Sequence, residues 1–336
     1  MARPVPARSV EVVVDTQALI GESPVWDDEC GAVRWVDVLR GEVHRTDVGT
    51  GADRLLRLGT SVGAVALRRR GGLVVAAADG FAVLGDGAAS GDGAASGDGA
   101  ASGDGAASGD GDVVPGGSRG LGLQWLWRAG TADIGACGPS GLALRMNDAK
   151  CDAAGRLWGG TMTVDRQPGS CSLFRVEPGG TVAAVLDGVT LSNGLGWSPD
   201  GRTFYYIDTP RRQVDAFDFE VETGALRRRR ELVRIEEGAG NPDGMTVDAA
   251  GCLWVALAHG SAVRRYTPDG HLDAVVDLPV RKVTSCTFGG PGLDVLFVTS
   301  ACVGMSEQDL VAEPLAGALL ACEVGAVGLP ANRFGG

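Results

Sequence analysis

Two segments of the chain share a sequence motif, and both have a residue with a side-chain oxygen at the equivalent position. They are "MNDAKCDAAGRLWGG" (146–160) and "NPDGMTVDAAGCLWVA" (241–256), which align on D-A-A-G-x-L-W. In this alignment Asn147 and Asp243 occupy the same position, 96 residues apart. Amide and carboxylate oxygens are typical ligands of hard divalent cations. The repetition therefore predicts structural units that gather oxygen donors at one place.

A turn glycine followed by a strand-like run recurs along the chain. The six examples are Gly31, Gly71, Gly155, Gly201, Gly251 and Gly292, at intervals of 40, 84, 46, 50 and 41 residues. The long interval contains four copies of "GDGAAS" (85–108), and without those 24 residues it shortens to 60. Each unit then has roughly the size of a four-stranded propeller blade.

These units predict an all-β fold, a six-bladed β-propeller with four-stranded antiparallel blades. One blade cannot bury its apolar face alone, so blades stack around an axis, and ring closure removes exposed sheet edges. We expect "SVEVVVD" (9–15) to supply the outer strand of the last blade, beside "ALLACEV" (318–324). A single domain is expected over residues 9–330, with residues 85–112 as an inserted low-complexity, acidic loop.

Charge and composition argue against several classes of function. The formal net charge is −12, and residues 85–112 carry six Asp and no Lys or Arg, which is half of it. This acidic balance argues against a nucleic-acid partner. No stretch reads as a signal peptide or a membrane span. Eight cysteines without a Cys-x-x-Cys pair indicate free thiols and a cytoplasmic protein. The oligomeric state is not predicted.

The position eight residues before each turn glycine is equivalent in every blade. In chain order it is occupied by Ser23 (with Glu22 beside it), Gly63, Asn147, Asn193, Asp243 and Thr284. Such positions begin the innermost strands at equal height, so their side chains should converge at one mouth of the axis. The oxygen donors among them are Glu22, Asn147, Asn193 and Asp243.

This donor set favours a hard cation such as Ca²⁺, Mg²⁺ or Mn²⁺. The chain has only three histidines, His44, His259 and His271, so a histidine zinc site or a Ser-His-Asp triad is difficult to assemble. The alternative reading of each Asn-Gly or Asp-Gly pair, taken singly, is an ordinary turn. Repetition at one register of a ring favours the site.

Six phrases extend this pattern across nearly the whole chain outside the "GDGAAS" copies. They are "GESPVWD" (21–27), "RMNDAKCDAAGRLWGGTM" (145–162), "SNGLGWSPDGRTFYYID" (192–208), "VDAFDFEVETG" (214–224), "PDGMTVDAAGCLWVA" (242–256) and "KVTSCTFGGPGLDVLFVTSA" (282–301). Together they resemble the gluconolactonase/regucalcin (senescence marker protein) family of six-bladed propellers.

The resemblance implies a metal site. Glu22 looks like the family's metal glutamate in G-E-[SG]-P, Asn193 matches the asparagine of S-N-G, and Asp243 matches the aspartate of P-D-G. These three residues would hold one divalent cation, which could be Ca²⁺, Zn²⁺, Mn²⁺ or Mg²⁺.

The resemblance also implies substrate contacts. Arg145 and Asn147 stand where family members contact substrate oxygens, and Asp165 corresponds to an acidic residue that some members use for a sugar hydroxyl. An alternative for Arg145 is a salt bridge to Asp148 or Asp152. The "GDGAAS" copies depart from the family pattern.

The function implied is that of a hydrolase acting on a carboxylic ester bond. A metal-activated water would open a sugar lactone, such as an aldono-lactone, to its acid, with Asp243 as the catalytic general base. The alternative is a non-catalytic, regulatory calcium-binding propeller. A protein-interaction propeller is a third hypothesis, for which the sequence offers no distinctive patch.

Overall fold

Short runs of branched and aromatic residues, separated by glycine-containing turns, form strands throughout the computed structural model. The structure describes residues 3–4, 10–85, 123–128 and 144–336, with backbone only for the first pair. Residues 86–112 of the predicted acidic loop lie outside the described residues. The strands form six sheets. Two strands precede the first blade, namely β1 (Arg3–Pro4) and β2 (Val10–Asp15).

Each sheet is one blade, and its strands follow one another from the axis outward. Blade one contains β3 (Gly21–Asp27), β4 (Ala32–Asp37), β5 (Glu42–Asp47) and β6 (Asp53–Arg57). Blade two contains β7 (Val62–Leu67), β8 (Leu73–Ala77), β9 (Gly80–Leu84) and β10 (Leu123–Arg128). Blade three contains β11 (Leu144–Cys151), β12 (Leu157–Thr163), β13 (Cys171–Val176) and β14 (Val182–Val189).

The second half of the chain repeats the arrangement. Blade four contains β15 (Ser192–Trp197), β16 (Thr203–Asp208), β17 (Gln213–Glu220) and β18 (Ala225–Arg234). Blade five contains β19 (Asn241–Val247), β20 (Leu253–Ala258), β21 (Ala262–Tyr266) and β22 (Leu272–Asp277). Blade six contains β23 (Val283–Gly289), β24 (Val295–Ser300) and β25 (Ala318–Glu323), and α1 (Glu307–Ala312) lies between its last two strands.

The ring closes with a strand from the other end of the chain. β2 pairs antiparallel with β25, from Val10 opposite Cys322 to Asp15 opposite Ala318, and becomes the outer strand of blade six. The innermost strands of successive blades contact one another in cyclic order, and β23 returns to β3. The predicted six-bladed propeller is therefore confirmed. Blade five carries one addition, because β1 pairs parallel with β22.

The repeated D-A-A-G-x-L-W motif forms the turn that follows two of the innermost strands, β11 and β19. Asp248 accepts a hydrogen bond from the Cys252 backbone amide (2.9 Å) and from the Trp254 indole (3.0 Å). Asp152 accepts the matching bond from the Trp158 indole (2.9 Å). Both tryptophans are fully buried. The phrase thus fixes a buried aromatic residue between blades, and it repeats because blades repeat.

Each innermost strand has a β-bulge at the same height. Its pairing with the second strand is interrupted after Glu22 in β3, Val62 in β7, Met146 in β11, Ser192 in β15, Pro242 in β19 and Val283 in β23. The unpaired residues include all six equivalents found from the turn spacing. A bulge re-aims the side chains of its unpaired residues. The six bulges therefore direct a ring of side chains, all at the same height, towards the axis.

The chain ends in a strap across the lower face, opposite the bulges. This carboxyl-terminal strap (residues 325–336) touches five of the six blades through hydrogen bonds that join Val327 to Ala249, Gly328 to Leu293, Arg333 to Asp28, Phe334 to Leu67 and Gly335 to Gly155. Phe334 is fully buried in the core between blades two and three. The strap therefore ties together blades that β2 and β25 do not join.

Seven cysteines fall within the described residues, and all are free thiols, whereas Cys137 lies outside them. Over the same residues, no helix combines the length and the apolar character needed to cross a membrane.

We predict that Phe334→Ala lowers the free energy of unfolding by about 3–5 kcal/mol, because it empties a fully buried aromatic site. Denaturation in urea measures the change. Val327→Ala, in the same strap but 51% exposed, is the control and should cost much less. Equal stability of the two variants would show that the strap does not hold the ring.

Candidate functional site

Arg145, Asn147 and Asn193 form a hydrogen-bonded ladder across blades three and four. The Arg145 guanidinium donates to Oδ1 of Asn147 (2.8 Å), and Nδ2 of Asn147 donates to Oδ1 of Asn193 (2.7 Å). Nδ2 of Asn147 also donates to the carbonyl of Ser192 (2.7 Å). Both asparagines lie in bulges. The structure thus brings together three residues that the sequence placed at this mouth of the axis.

A second set of hydrogen bonds extends the ladder to blade five. Nδ2 of Asn193 donates to the Thr209 hydroxyl (2.7 Å), which donates to the carbonyl of Pro242 (2.8 Å). Thr209 follows β16 and was not singled out from the sequence. Because its hydroxyl fixes the amide nitrogen of Asn193, it also fixes the direction of Oδ1. That oxygen accepts one bond from Asn147 and retains a second lone pair.

Glu22 of blade one and Asp243 of blade five bring two carboxyl groups into one electrostatic site, with blade six between their blades. Burial, the Asp243 charge and the Asp148 charge raise the pKa of Glu22 well above its usual value. Burial and the Asp148 charge raise the pKa of Asp243 to about 8, although Arg166 and Arg145 lower it. Negative charge is therefore poorly balanced here by the protein's own groups.

The donor set fits a hard divalent cation. In the described residues no group of three His, Cys, Asp or Glu side chains is arranged for a metal, so the site depends on two carboxylates, Glu22 and Asp243, and the free lone pair of Asn193. An all-oxygen set of this kind suits Ca²⁺, Mg²⁺ or Mn²⁺ better than soft metals. Burial is the largest cause of the raised pKa of both carboxyl groups, so a cation bound beside them would favour their charged forms.

Blade two contributes no donor because its bulge packs too closely. A Cβ atom at Gly63 would lie 2.4 Å from the Asn147 carbonyl oxygen, so only glycine fits. Blade six contributes Thr284, whose hydroxyl donates to the Gly21 carbonyl (2.5 Å) and is thus already used in blade packing. The oxygen donors of the site come from blades one, three, four and five.

Arg145 does not form the salt bridge considered as its alternative. Its guanidinium donates to Asn147 and to the Met146 carbonyl (3.0 Å), whereas Asp152 pairs with Arg156 (2.9 Å). Burial lowers the pKa of Arg145, and the Glu22 and Asp243 charges oppose that effect. A half-buried guanidinium on which two carboxyl groups act belongs electrostatically to the site.

Asp165 lies apart from this network. It is exposed on the loop after β12, and its carboxylate accepts a hydrogen bond from the Gln167 side chain (2.7 Å). Its neighbour Arg166 is the residue of that loop whose charge acts on Asp243. No motif or spacing in the sequence indicates Arg166, because its position at the mouth is revealed only by the fold.

A cavity of about 380 Å³ occupies the other end of the axis, bordered by the carboxyl-terminal strap. Its lining includes Asp148 and Lys150 of β11 but neither Glu22 nor Asp243. The Lys150 ammonium donates to the Met245 carbonyl (2.7 Å), and burial lowers its pKa. Asp148 lies between the two ends, since its charge acts on both Glu22 and Asp243.

We predict that the metal-free protein loses stability relative to Asp243→Asn as the pH rises from 5 to 8. The folded state holds the Asp243 proton up to about pH 8, whereas the unfolded chain releases it in the ordinary carboxyl range. This contribution is therefore present at low pH and lost as the pH rises through the folded pKa, by on the order of 1.4 kcal/mol per pH unit.

Urea denaturation in EDTA from pH 5 to 9 measures the difference between the two proteins. Asp269→Asn, the same substitution at an exposed position of blade five, is the matched control. Parallel stability curves for wild type and Asp243→Asn would contradict the electrostatic description of the site.

Comparison with known proteins finds relatives that match nearly the whole chain. It is 34% identical to regucalcin of Xenopus laevis and 35% identical to pentonolactonase XacC of Haloferax volcanii, in each case over 97% of this chain and 98% of the relative. The fold is similar to that of a calcium-binding protein, regucalcin, from Agrobacterium tumefaciens (TM-score 0.83, 23% identity, 99% of both chains). Residues 20–302 match the SMP-30/gluconolactonase/LRE-like region, and the chain belongs to that family.

Proposed function

We propose that the protein is a metal-dependent hydrolase of sugar lactones that converts an aldono-lactone to its aldonic acid. The observation that carries the proposal is the pairing of two poorly neutralised carboxyl groups, Glu22 and Asp243, with the Arg145–Asn147–Asn193 ladder beside them. A cation would balance the negative charge of the two carboxyl groups. The Arg145–Asn147–Asn193 ladder would supply hydrogen-bond donors in fixed directions for a polar substrate. The name of the pentonolactonase relative supports the substrate class.

Glu22, Asn193 and Asp243 would hold the cation. When bound, a divalent cation supplies Lewis acidity to the lactone carbonyl and to an attacking water. Thr209 keeps the Asn193 oxygen directed to the site. The N–H of Ser23 donates to Glu22 Oε2 (2.9 Å) and fixes that carboxylate from the other side. Two of the three ligands, Glu22 and Asn193, are thus positioned by hydrogen bonds before a cation arrives.

Asp243 serves as the general base. Its pKa falls towards the ordinary range when a positive charge lies beside it, so its carboxylate can accept a proton from the water at neutral pH. The water oxygen forms a bond to the carbonyl carbon, and the ring C–O bond breaks. Asp243 then returns the proton to the departing ring oxygen, which gives the hydroxy acid and restores the carboxylate.

Arg145 and Asn147 orient the lactone. The guanidinium, held by Asn147 Oδ1, can donate its remaining N–H groups to the developing oxyanion or to sugar hydroxyls. A lactone is an activated ester, so one cation and one base suffice without a covalent nucleophile. Asp165 stays a proposed contact to a sugar hydroxyl, for which its exposed place near the mouth leaves room.

The second candidate is a non-catalytic calcium-binding propeller, favoured by the all-oxygen donor set and by the regucalcin names among the relatives. A pure ion site does not need the half-buried Arg145 guanidinium in its wall, and this favours the enzyme. A cytoplasmic location completes the proposal, since the eight cysteines of the sequence include no Cys-x-x-Cys pair and those described form no disulfide with one another.

We predict that EDTA abolishes the hydrolysis of aldono-lactones and that added Ca²⁺, Mg²⁺, Mn²⁺ or Zn²⁺ restores it. Asp243→Asn should lower kcat/KM by about 10³-fold, because it removes a base and a cation ligand together. Acid release from a lactone panel, followed with a pH indicator, measures both effects. Asp269→Asn on the same blade is the control and should retain wild-type rates.

Two results would contradict the proposal. Full activity of Asp243→Asn would remove that residue from the chemistry. Cation binding without turnover of any lactone would instead support the calcium-binding alternative.

A further inference from the structure

Arg166 lies at the upper mouth of the axis, beside Arg145. It belongs to the loop between β12 and β13, and the last residues of β12 pair with the start of β11, with Met162 opposite Arg145. The loop turns back at once, because the Arg166 amide donates to the Thr163 carbonyl (3.0 Å) and Arg166 has a left-handed φ of 54°. A non-glycine residue in this conformation is uncommon and holds the loop over the rim.

Within the described residues, no protein group neutralises the Arg166 guanidinium. Arg166 is exposed and forms no hydrogen bond or ion pair from its side chain within the described residues. Buried carboxylates elsewhere in the ring do bind arginine, as Asp215 binds Arg229 and Asp248 binds Arg265. The adjacent Asp165 is bonded to Gln167 instead. In the part of the chain that the structure describes, Arg166 is therefore a cation without an ion-pair partner.

The charge of Arg166 reaches across the mouth. It lowers the pKa of Asp243 on blade five and of Arg145 on blade three. It also lowers the pKa of His259, which begins the loop between β20 and β21. Ala258, just before that loop, lies opposite Asn241 at the start of β19. The Arg166 charge thus acts both on the carboxyl group of Asp243 and on the loop that begins at His259.

Lys282 adds a second cation at this rim. Its backbone forms an isolated antiparallel β-bridge with Ala258, and its ammonium donates to the Val303 carbonyl. The Lys282 charge also lowers the pKa of His259. The described mouth therefore has the Glu22 and Asp243 carboxyl groups at its floor, and Arg166 and Lys282 are cationic side chains of its rim, where the Asp165 carboxylate is bonded to Gln167. A ligand held with its reacting carbonyl at the floor would extend its other end towards these two cations.

We propose that Arg166 selects lactones that carry an anionic group at the end remote from the ring carbonyl, a carboxylate in the first instance, as in an aldaric acid monolactone. This inference rests on the proposed lactonase function and narrows its substrate class. A guanidinium binds a carboxylate through two parallel N–H···O bonds, so it favours the anionic substrate over the neutral aldono-lactone of the same ring size.

The test is the ratio of kcat/KM for an aldaric monolactone to that for the neutral aldono-lactone. Wild type should prefer the anionic substrate, and Arg166→Gln should lower the ratio about tenfold, mainly through KM. Arg166→Lys should keep part of the preference, because charge remains without the fork. Arg202→Gln, an exposed arginine at the turn between β15 and β16 on the opposite face, is the control and should leave the ratio unchanged.

Several results would overturn the proposal. One is an unchanged ratio in Arg166→Gln, including the case in which both substrates slow equally, since that indicates a structural role. Another is a wild type that hydrolyses both lactones equally well. A 6-phosphoaldono-lactone serves as a further arm, and an Arg166-dependent preference for phosphate alone would replace the carboxylate.

Failure of the proposed function is separable from failure of this inference. If no lactone is hydrolysed, calorimetric titration with the open-chain acids still decides the question. Tighter binding of the dianionic aldarate than of the aldonate, lost in Arg166→Gln, supports the anion site without catalysis. Equal affinities would overturn it.

Discussion

Closure of the ring is the constraint on which the rest of the structure depends. Six sheets converge on one axis only because β2, from the start of the chain, pairs with β25 near its end. The carboxyl-terminal strap adds a second tie, which joins five blades at the lower face. With the ring closed, the bulges of the innermost strands must lie at one height. Residues as distant in sequence as Glu22 and Asp243 then share one electrostatic environment.

Charge is layered along the axis. Three carboxyl groups, those of Glu22, Asp243 and Asp148, act on one another near its centre, and the Lys150 ammonium lies on the side of the lower cavity. Arg145 is in the wall and Arg166 at the rim. Burial makes the central negative charge costly without a counter-charge. A bound cation would neutralise it, which links the function we propose to the same interactions that shape the site.

Much of this arrangement is encoded locally and was predictable. The turn glycines repeat at blade spacing, and the residues eight positions earlier all lie in bulges. The number of blades is confirmed, and the outer strand predicted over residues 9–15 is observed as Val10–Asp15. In the sixth turn the left-handed residues are Gly290 and Leu293 rather than Gly292. The equivalent position in the innermost strand of each blade was enough to locate the ring of side chains around the axis.

Contacts between blades were not predictable in the same way. The Thr209 hydroxyl accepts a hydrogen bond from Asn193 at the end of β16. Phe334 packs against residues of blade three that lie some 180 positions earlier in the sequence. Arg166 acts on blade five from a loop of blade three. Such pairs have no common spacing and no repeat, so only the assembled ring reveals them. Asp165, taken from the family resemblance, lies beside Arg166 but outside the hydrogen-bonded ladder.

The most direct measurement is an anomalous difference map from crystals of the protein grown with Mn²⁺. We predict one strong peak on the axis, about 2.0–2.5 Å from carboxylate oxygens of Glu22 and Asp243 and from Oδ1 of Asn193. The absence of a peak there, or a peak bound by other residues, would contradict the claim that ring closure builds a cation site from these three side chains.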